Sequence, residues 1–190
     1  MLRLVAMTIN HARQLMQEWT ASPTLRGHME AVSACMGAYA QKLEPDQVDR
    51  WIVCGLLHDM DYEKYPTPAE HPFVAVKMLR DGNLVDEEIT TAILGHAEYS
   101  NTPRATPMAK TLFAVDELSG FIVACAKVRP TGISDMEPSS VKKKLKDKPF
   151  AAAVSREDIR KGIAEMQVDE MEHIRTCIGA IREASARVGI

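Results

Sequence analysis

Four histidines and two aspartates stand where helical periodicity turns side chains inward: His28, the doublet His58-Asp59, His71, His96 and Asp116. His28 continues the row Leu25, Val32 and Cys35. His71 begins Val74, Ala75 and Met78; His96 follows Ile89, Ala92 and Ile93; Asp116 follows Ala109, Leu112 and Phe113. Asp59 falls seven residues after Ile52 and three after Leu56, on a stripe that faces a core. A carboxylate there must be paired, protonated or metal-bound, and each unsatisfied polar group would cost roughly 1–3 kcal/mol. A single such histidine is ordinarily a core residue bonded to a backbone carbonyl, but six groups on five helices need each other or a cation. Mixed imidazole and carboxylate donors suit Mn, Fe, Co, Ni or Zn, whereas Mg prefers more oxygen. His11 and His173 read as surface residues.

The elements that must position this set are helical, and no alternating strand of useful length is present. The pattern predicts an all-α, compact helical bundle of about eight to nine helices. A first helix covers about Thr8 to Thr20, and Ser22-Pro23 caps and starts a second with Leu25, Met29, Val32, Met36, Tyr39 and Leu43 inside. A third starts near Pro45 and ends at His58-Asp59. The segment Met60 to Pro68 is a loop, whose Asp61, Glu63 and Lys64 read as an active-site rim. Further helices are predicted from about Pro68 to Arg80, Asp86 to Tyr99, Pro107 to Val128 and Asp169 to Val188, with a lysine-rich stretch from Pro138 to Lys148 and a capping box at Ser155 and Asp158. Residues 1–190 are expected to form a single domain, with about 22–128 as the metal-binding core and 129–190 as a helical extension packed on it.

Composition narrows the function classes. A net charge of −3 argues against general nucleic-acid binding. No run approaches the roughly 18 apolar residues of a membrane span, and the four cysteines (Cys35, Cys54, Cys125 and Cys177) form no paired motif. A cytoplasmic protein away from the membrane is expected, with no feature that sets an oligomeric state.

The order His28, His58-Asp59, His71, His96 and Asp116 resembles the HD-domain superfamily of metal-dependent phosphohydrolases, over about Arg26 to Glu117. The run Asp116 to Gly120, followed by a lysine-rich helix, is also similar to small, largely uncharacterised bacterial HD proteins. The resemblance implies a helical bundle in which His28, His58, Asp59 and Asp116 hold one metal. It further implies that His71 and His96 hold a second metal with Asp59 bridging, or else face substrate phosphate. The divalent transition metal, one or two per chain, would activate water against a small phosphorylated substrate: a phosphomonoester, nucleotide or phosphodiester. Two other readings use the same ligands: an HD-type di-iron oxygenase, and a non-catalytic ligand-sensing module that keeps its metal for folding.

Beside the ligands, Asp59 carries the central catalytic role. Lys64 is placed to hold phosphate or protonate a leaving group, and Asp61 to orient a ligand histidine or cap a turn. Glu98, Arg129, Lys144 and Lys148 are candidate substrate-binding residues; Lys144 and Lys148 share an i,i+4 spacing that flanks the buried Val141 and Leu145.

Overall fold

The computed structural model describes residues 7–190. Among these there are ten α-helices and no strand: α1 (Ile9–Trp19), α2 (Pro23–Leu43), α3 (Val48–Leu57), α4 (Phe73–Asp81), α5 (Glu87–His96), α6 (Pro107–Lys127), α7 (Pro138–Leu145), α8 (Arg156–Met166), α9 (Glu170–Glu183) and α10 (Ser185–Val188). Short 3₁₀ turns precede α3 at Pro45–Gln47 and follow α5 at Glu98–Ser100.

Most starts are written in the sequence. Thr8, Ser22, Asp86, Thr106, Ser155 and Asp169 each cap a helix, their side-chain oxygens accepting a first-turn N–H. Pro23 and Pro107 occupy first-turn positions that need no donor. The fourth helix begins at Phe73 rather than near Pro68. Pro72 is the reason, because the residue before a proline is disfavoured in the helical region and a helix cannot run smoothly through His71. The last predicted helix is two, separated at Ala184.

The long helices α2 and α6 form the centre. Helices α1, α3, α4 and α5 pack as one group and α7, α9 and α10 as another; α2 and α6 contact both, and α8 lies against α6. Two close approaches set the geometry. A Cβ on Gly55 of α3 would meet Ser33 Cα of α2 at 2.6 Å, and one on Gly162 of α8 would meet Ala114 Cα of α6 at 2.5 Å. The buried apolar side chains form one contiguous cluster from Ala12 to Val188, including Trp51, Phe121, Met29, Met36 and Leu112. Leu43, expected on the inner stripe, is instead 50 % exposed because it closes the last turn of α2. No helix of the described residues is long and apolar enough to cross a membrane.

Candidate metal centre

Five segments deliver the polar cluster. His28 projects from α2, His58 is the C-cap of α3 with Asp59 in the turn beyond it, and His71 stands just before α4. His96 ends α5, and Asp116 lies midway along α6. His58, His71 and His96 are buried, while His28, Asp59 and Asp116 are partly exposed.

The two oxygens of Asp59 face different partners. Oδ2 lies 3.5 Å from His58 Nε2 and 3.6 Å from His28 Nε2, whereas Oδ1 lies 3.4 Å from His71 Nε2 and 3.3 Å from His96 Nε2. Asp116 Oδ1 completes the first group at 2.9 Å from His28 Nε2 and 3.5 Å from His58 Nε2. The donors therefore fall into two triads, His28-His58-Asp59 and Asp59-His71-His96, that share one carboxylate.

Hydrogen bonds on the far side of three rings fix their orientation. Nδ1 of His58 donates to Gly55 O at 2.8 Å, Nδ1 of His96 to Ile93 O at 2.5 Å, and Nδ1 of His71 to the Asp61 carboxylate at 2.7 Å. A neutral imidazole with its proton on Nδ1 presents a bare lone pair on Nε2. Nε2 of His71 and Nε2 of His96 then confront each other at 3.2 Å, and Nε2 of His58 is buried with no hydrogen-bond partner. Facing lone pairs and an orphaned buried nitrogen are costly unless a cation lies among them, so the donor set fits a transition metal.

The electrostatics agree. Burial opposes a charge on His58, but the carboxylates of Asp59 and Asp116 outweigh it and raise the imidazole to about 9. Burial likewise opposes charge on Asp59 and Asp116; the neighbouring imidazoles more than compensate, and both carboxyls end below their usual range. The cluster calls for positive charge, whether from protons or metal.

The family model described as HD domain matches residues 25–120, just over half of the 190-residue chain. The chain belongs to the HD domain family. Comparison with curated proteins and with solved structures returned no significant match. The HD domain match contains all six residues of the cluster, from His28 to Asp116, and the HD superfamily is one of metal-dependent phosphohydrolases.

Beside the HD cluster lies a cavity of about 410 Å³, walled by Tyr62, Tyr99, Glu98, Glu117, Val154 and Asp158. Asp61 is fully buried and faces away from this space. It accepts His71 Nδ1–H on one oxygen and Ala75 N–H on the other at 2.8 Å, so it both orients His71 and caps the start of α4.

Several expected substrate contacts lie elsewhere. Lys64 does not line the cavity; its ammonium sits 5.3 Å from the centre of the Trp19 ring, and neighbouring Glu63 accepts the N–H groups of Ala21 and Ser22. The 60s loop is thus pinned to the α1–α2 turn, and the rim residue it supplies is Tyr62. Arg129 pairs with Asp135 and Gly132 O, and Lys144 with Asp147. Lys148 lies beyond the end of α7, where the i,i+4 relation no longer holds, and it lines a different cavity. Glu98 does reach the cavity, but its carboxylate is held by Arg104 and Lys161 at 2.6 Å each.

His11 is exposed as expected, but His173 is fully buried, with Nδ1 accepting from Tyr39 O–H at 2.5 Å and Nε2 donating to Ala114 O at 3.1 Å. It is a core residue, carried inward because α9 packs between α2 and α6.

Four polar cavity residues, Tyr62, Tyr99, Glu117 and Asp158, lie outside the pattern of inward-facing histidines and aspartates. Tyr62 and Tyr99 each follow a cluster residue by three positions, Asp59 and His96, which in turns and helices places them on the same side. The Tyr62 ring packs edge-on against His71, with centroids 5.1 Å apart. Glu117 adjoins Asp116 and accepts Ser155 N–H at 3.0 Å; burial, then the Asp116 charge, raises its carboxyl to about 7. Asp158 carried no local signal beyond its place in a capping box.

Proposed function

We propose that this chain is a metal-dependent phosphohydrolase that takes two divalent transition-metal ions, such as Mn, Fe, Co, Ni or Zn, and cleaves a small phosphomonoester, nucleotide or phosphodiester. The observation that carries this reading is the division of Asp59, whose Oδ2 faces His28 and His58 while Oδ1 faces His71 and His96. His28, His58 and Asp116 would hold one ion, His71 and His96 the other, and Asp59 would bridge.

When bound, such ions supply Lewis acidity, lowering the pKa of water and neutralising phosphoryl charge. The chain's own residues hold the donors ready. Gly55 O, Ile93 O and Asp61 fix the protons of His58, His96 and His71 on Nδ1, leaving Nε2 free toward the centre. Tyr62 and Tyr99, each nearly half exposed, flank the cavity and offer aromatic faces to the organic part of a substrate. A volume of about 410 Å³ suits a small molecule. Among the described residues, no lysine or arginine lines the cavity, so substrate phosphate relies on the cations for its neutralisation. A cytoplasmic setting belongs to this reading and is supported by four free, buried thiols.

The test is to load the protein separately with each metal, count ions per chain by mass spectrometry and assay a panel of phosphomonoesters, nucleotides and phosphodiesters. Two ions per chain and turnover that Asp59→Ala abolishes are expected. Full occupancy with no turnover beyond the Asp59→Ala background would overturn the proposal, and iron-specific oxygen consumption in the same preparation would point to the oxygenase reading instead.

A further inference from the structure

A second cavity, of about 510 Å³, lies between the end of α7, the loop that follows it and the N-terminal ends of α8 and α9. Lys142, Lys146, Lys148, Arg156 and Arg160 line it, against the single carboxylate of Glu170. On a chain of net charge −3 this is a concentrated reversal of sign. Two of the cations are committed: Lys142 pairs with Glu170 at 2.5 Å, and Arg156 donates to the carbonyls of Asp147, Phe150, Ala151 and Val154. Lys146, Lys148 and Arg160 have no ion pair or side-chain hydrogen bond among the described residues.

The wall of this cavity is a specified loop. Arg156 gathers four carbonyls of residues 147–154 while its guanidinium lies 4.8 Å from the centre of the Phe121 ring. Ala151 is held at φ 45°, a left-handed conformation that a residue with a Cβ adopts only when its surroundings impose it. Leu145, Ala152, Val154 and Ile159 give the same space an apolar side.

We propose that this cavity is a binding site for a nucleoside di- or triphosphate, distinct from the metal centre. Three uncommitted cations match a polyphosphate, and the apolar wall matches a flat base. The site shares Val154 with the metal-centre cavity; Ala152 and Arg156 line the basic side of the loop, Ala153 and Asp158 the other. One short segment therefore partitions two spaces of opposite charge.

The experiment is calorimetric titration of the metal-loaded full chain with α,β-methylene adenosine diphosphate, which resists hydrolysis at a metal centre. Wild-type protein and Asp59→Ala should bind with similar affinity, while K146E/K148E/R160E should weaken binding at least tenfold. Binding should also weaken as salt is raised. The three reversed residues lie at or near the surface, and a thermal midpoint checks that the triple variant folds; Lys148→Gln alone, with a severalfold loss expected, serves if it does not. Equal affinity in wild-type and charge-altered proteins, no binding to wild type, or loss of binding in Asp59→Ala alone would each overturn the proposal.

Discussion

At the scale of single residues, Asp61 separates orientation from chemistry. Its carboxylate accepts from His71 Nδ1 and from Ala75 N–H, with no exposure to the cavity. Asp61→Asn can satisfy only one of these donors, because its amide nitrogen cannot accept. Affinity for the ion proposed at His71 and His96 should fall about 10–100-fold, the usual cost of losing such a supporting partner, while the ion proposed at His28, His58 and Asp116 should stay. Competition with a chelating dye, read as ions retained per chain, checks this; equal loss of both ions would show general unfolding instead.

His173 makes a separate prediction. Burial holds its imidazole below the ordinary value, which is about 6.5. The folded chain keeps the ring neutral, with Nδ1 accepting from Tyr39 and Nε2 donating to Ala114. As pH falls through the unfolded-chain value, the unfolded state takes up a proton that the folded state refuses, so this stability is complete at neutral pH and declines on acidification. Thermal midpoints of metal-loaded protein should drop between pH about 7.5 and 5.5, with a shallower drop in His173→Gln.

At the scale of elements, the metal-centre cavity depends on α8 lying against α6. Gly162 permits this contact, since a Cβ there would come within 2.5 Å of Ala114 Cα. Gly162→Ala should destabilise the fold by about 1–3 kcal/mol, the range for overpacking a filled core. It should also raise KM more than it lowers metal affinity, because α8 carries Asp158 and anchors the loop with Val154, whereas the six cluster residues come from α2 to α6. Urea unfolding and metal counting on the same variant separate the two effects. The caps made the starts of α1, α2, α5, α6 and α9 legible to within a residue or two, whereas α5 ends at His96 rather than Tyr99 and α9 at Glu183 rather than Val188. The start of α4 also has a signal in the sequence: Pro72 disfavours the helical region at His71, so the helix starts at Phe73 rather than near Pro68.

At the scale of the whole molecule, the cluster draws on five segments of the chain, so the proposed metal occupancy would be linked to folding. A ligand present at 100 times its dissociation constant stabilises by about 2.7 kcal/mol. For a chain of this size that corresponds to about 5–10 °C in thermal midpoint. Chelation should lower the midpoint of wild-type protein by that order and leave Asp59→Ala almost unchanged; calorimetry with and without chelator measures it.

The inward placement of His28, His58, Asp59, His71, His96 and Asp116, and the all-helical fold that carries them, were determined by sequence alone. Periodicity fixes which face of a helix a residue occupies, and caps and prolines fix where the helix begins. Which faces then meet is decided by packing between segments far apart in the chain. That packing gave Asp59 two different audiences for its oxygens, drew His173 into the core and turned Asp61 away from the cavity. It also set Lys64 on Trp19 and Lys148 in a cavity of its own. Long polar side chains take their partners from whatever tertiary neighbour lies within reach, and one-dimensional spacing does not specify that neighbour.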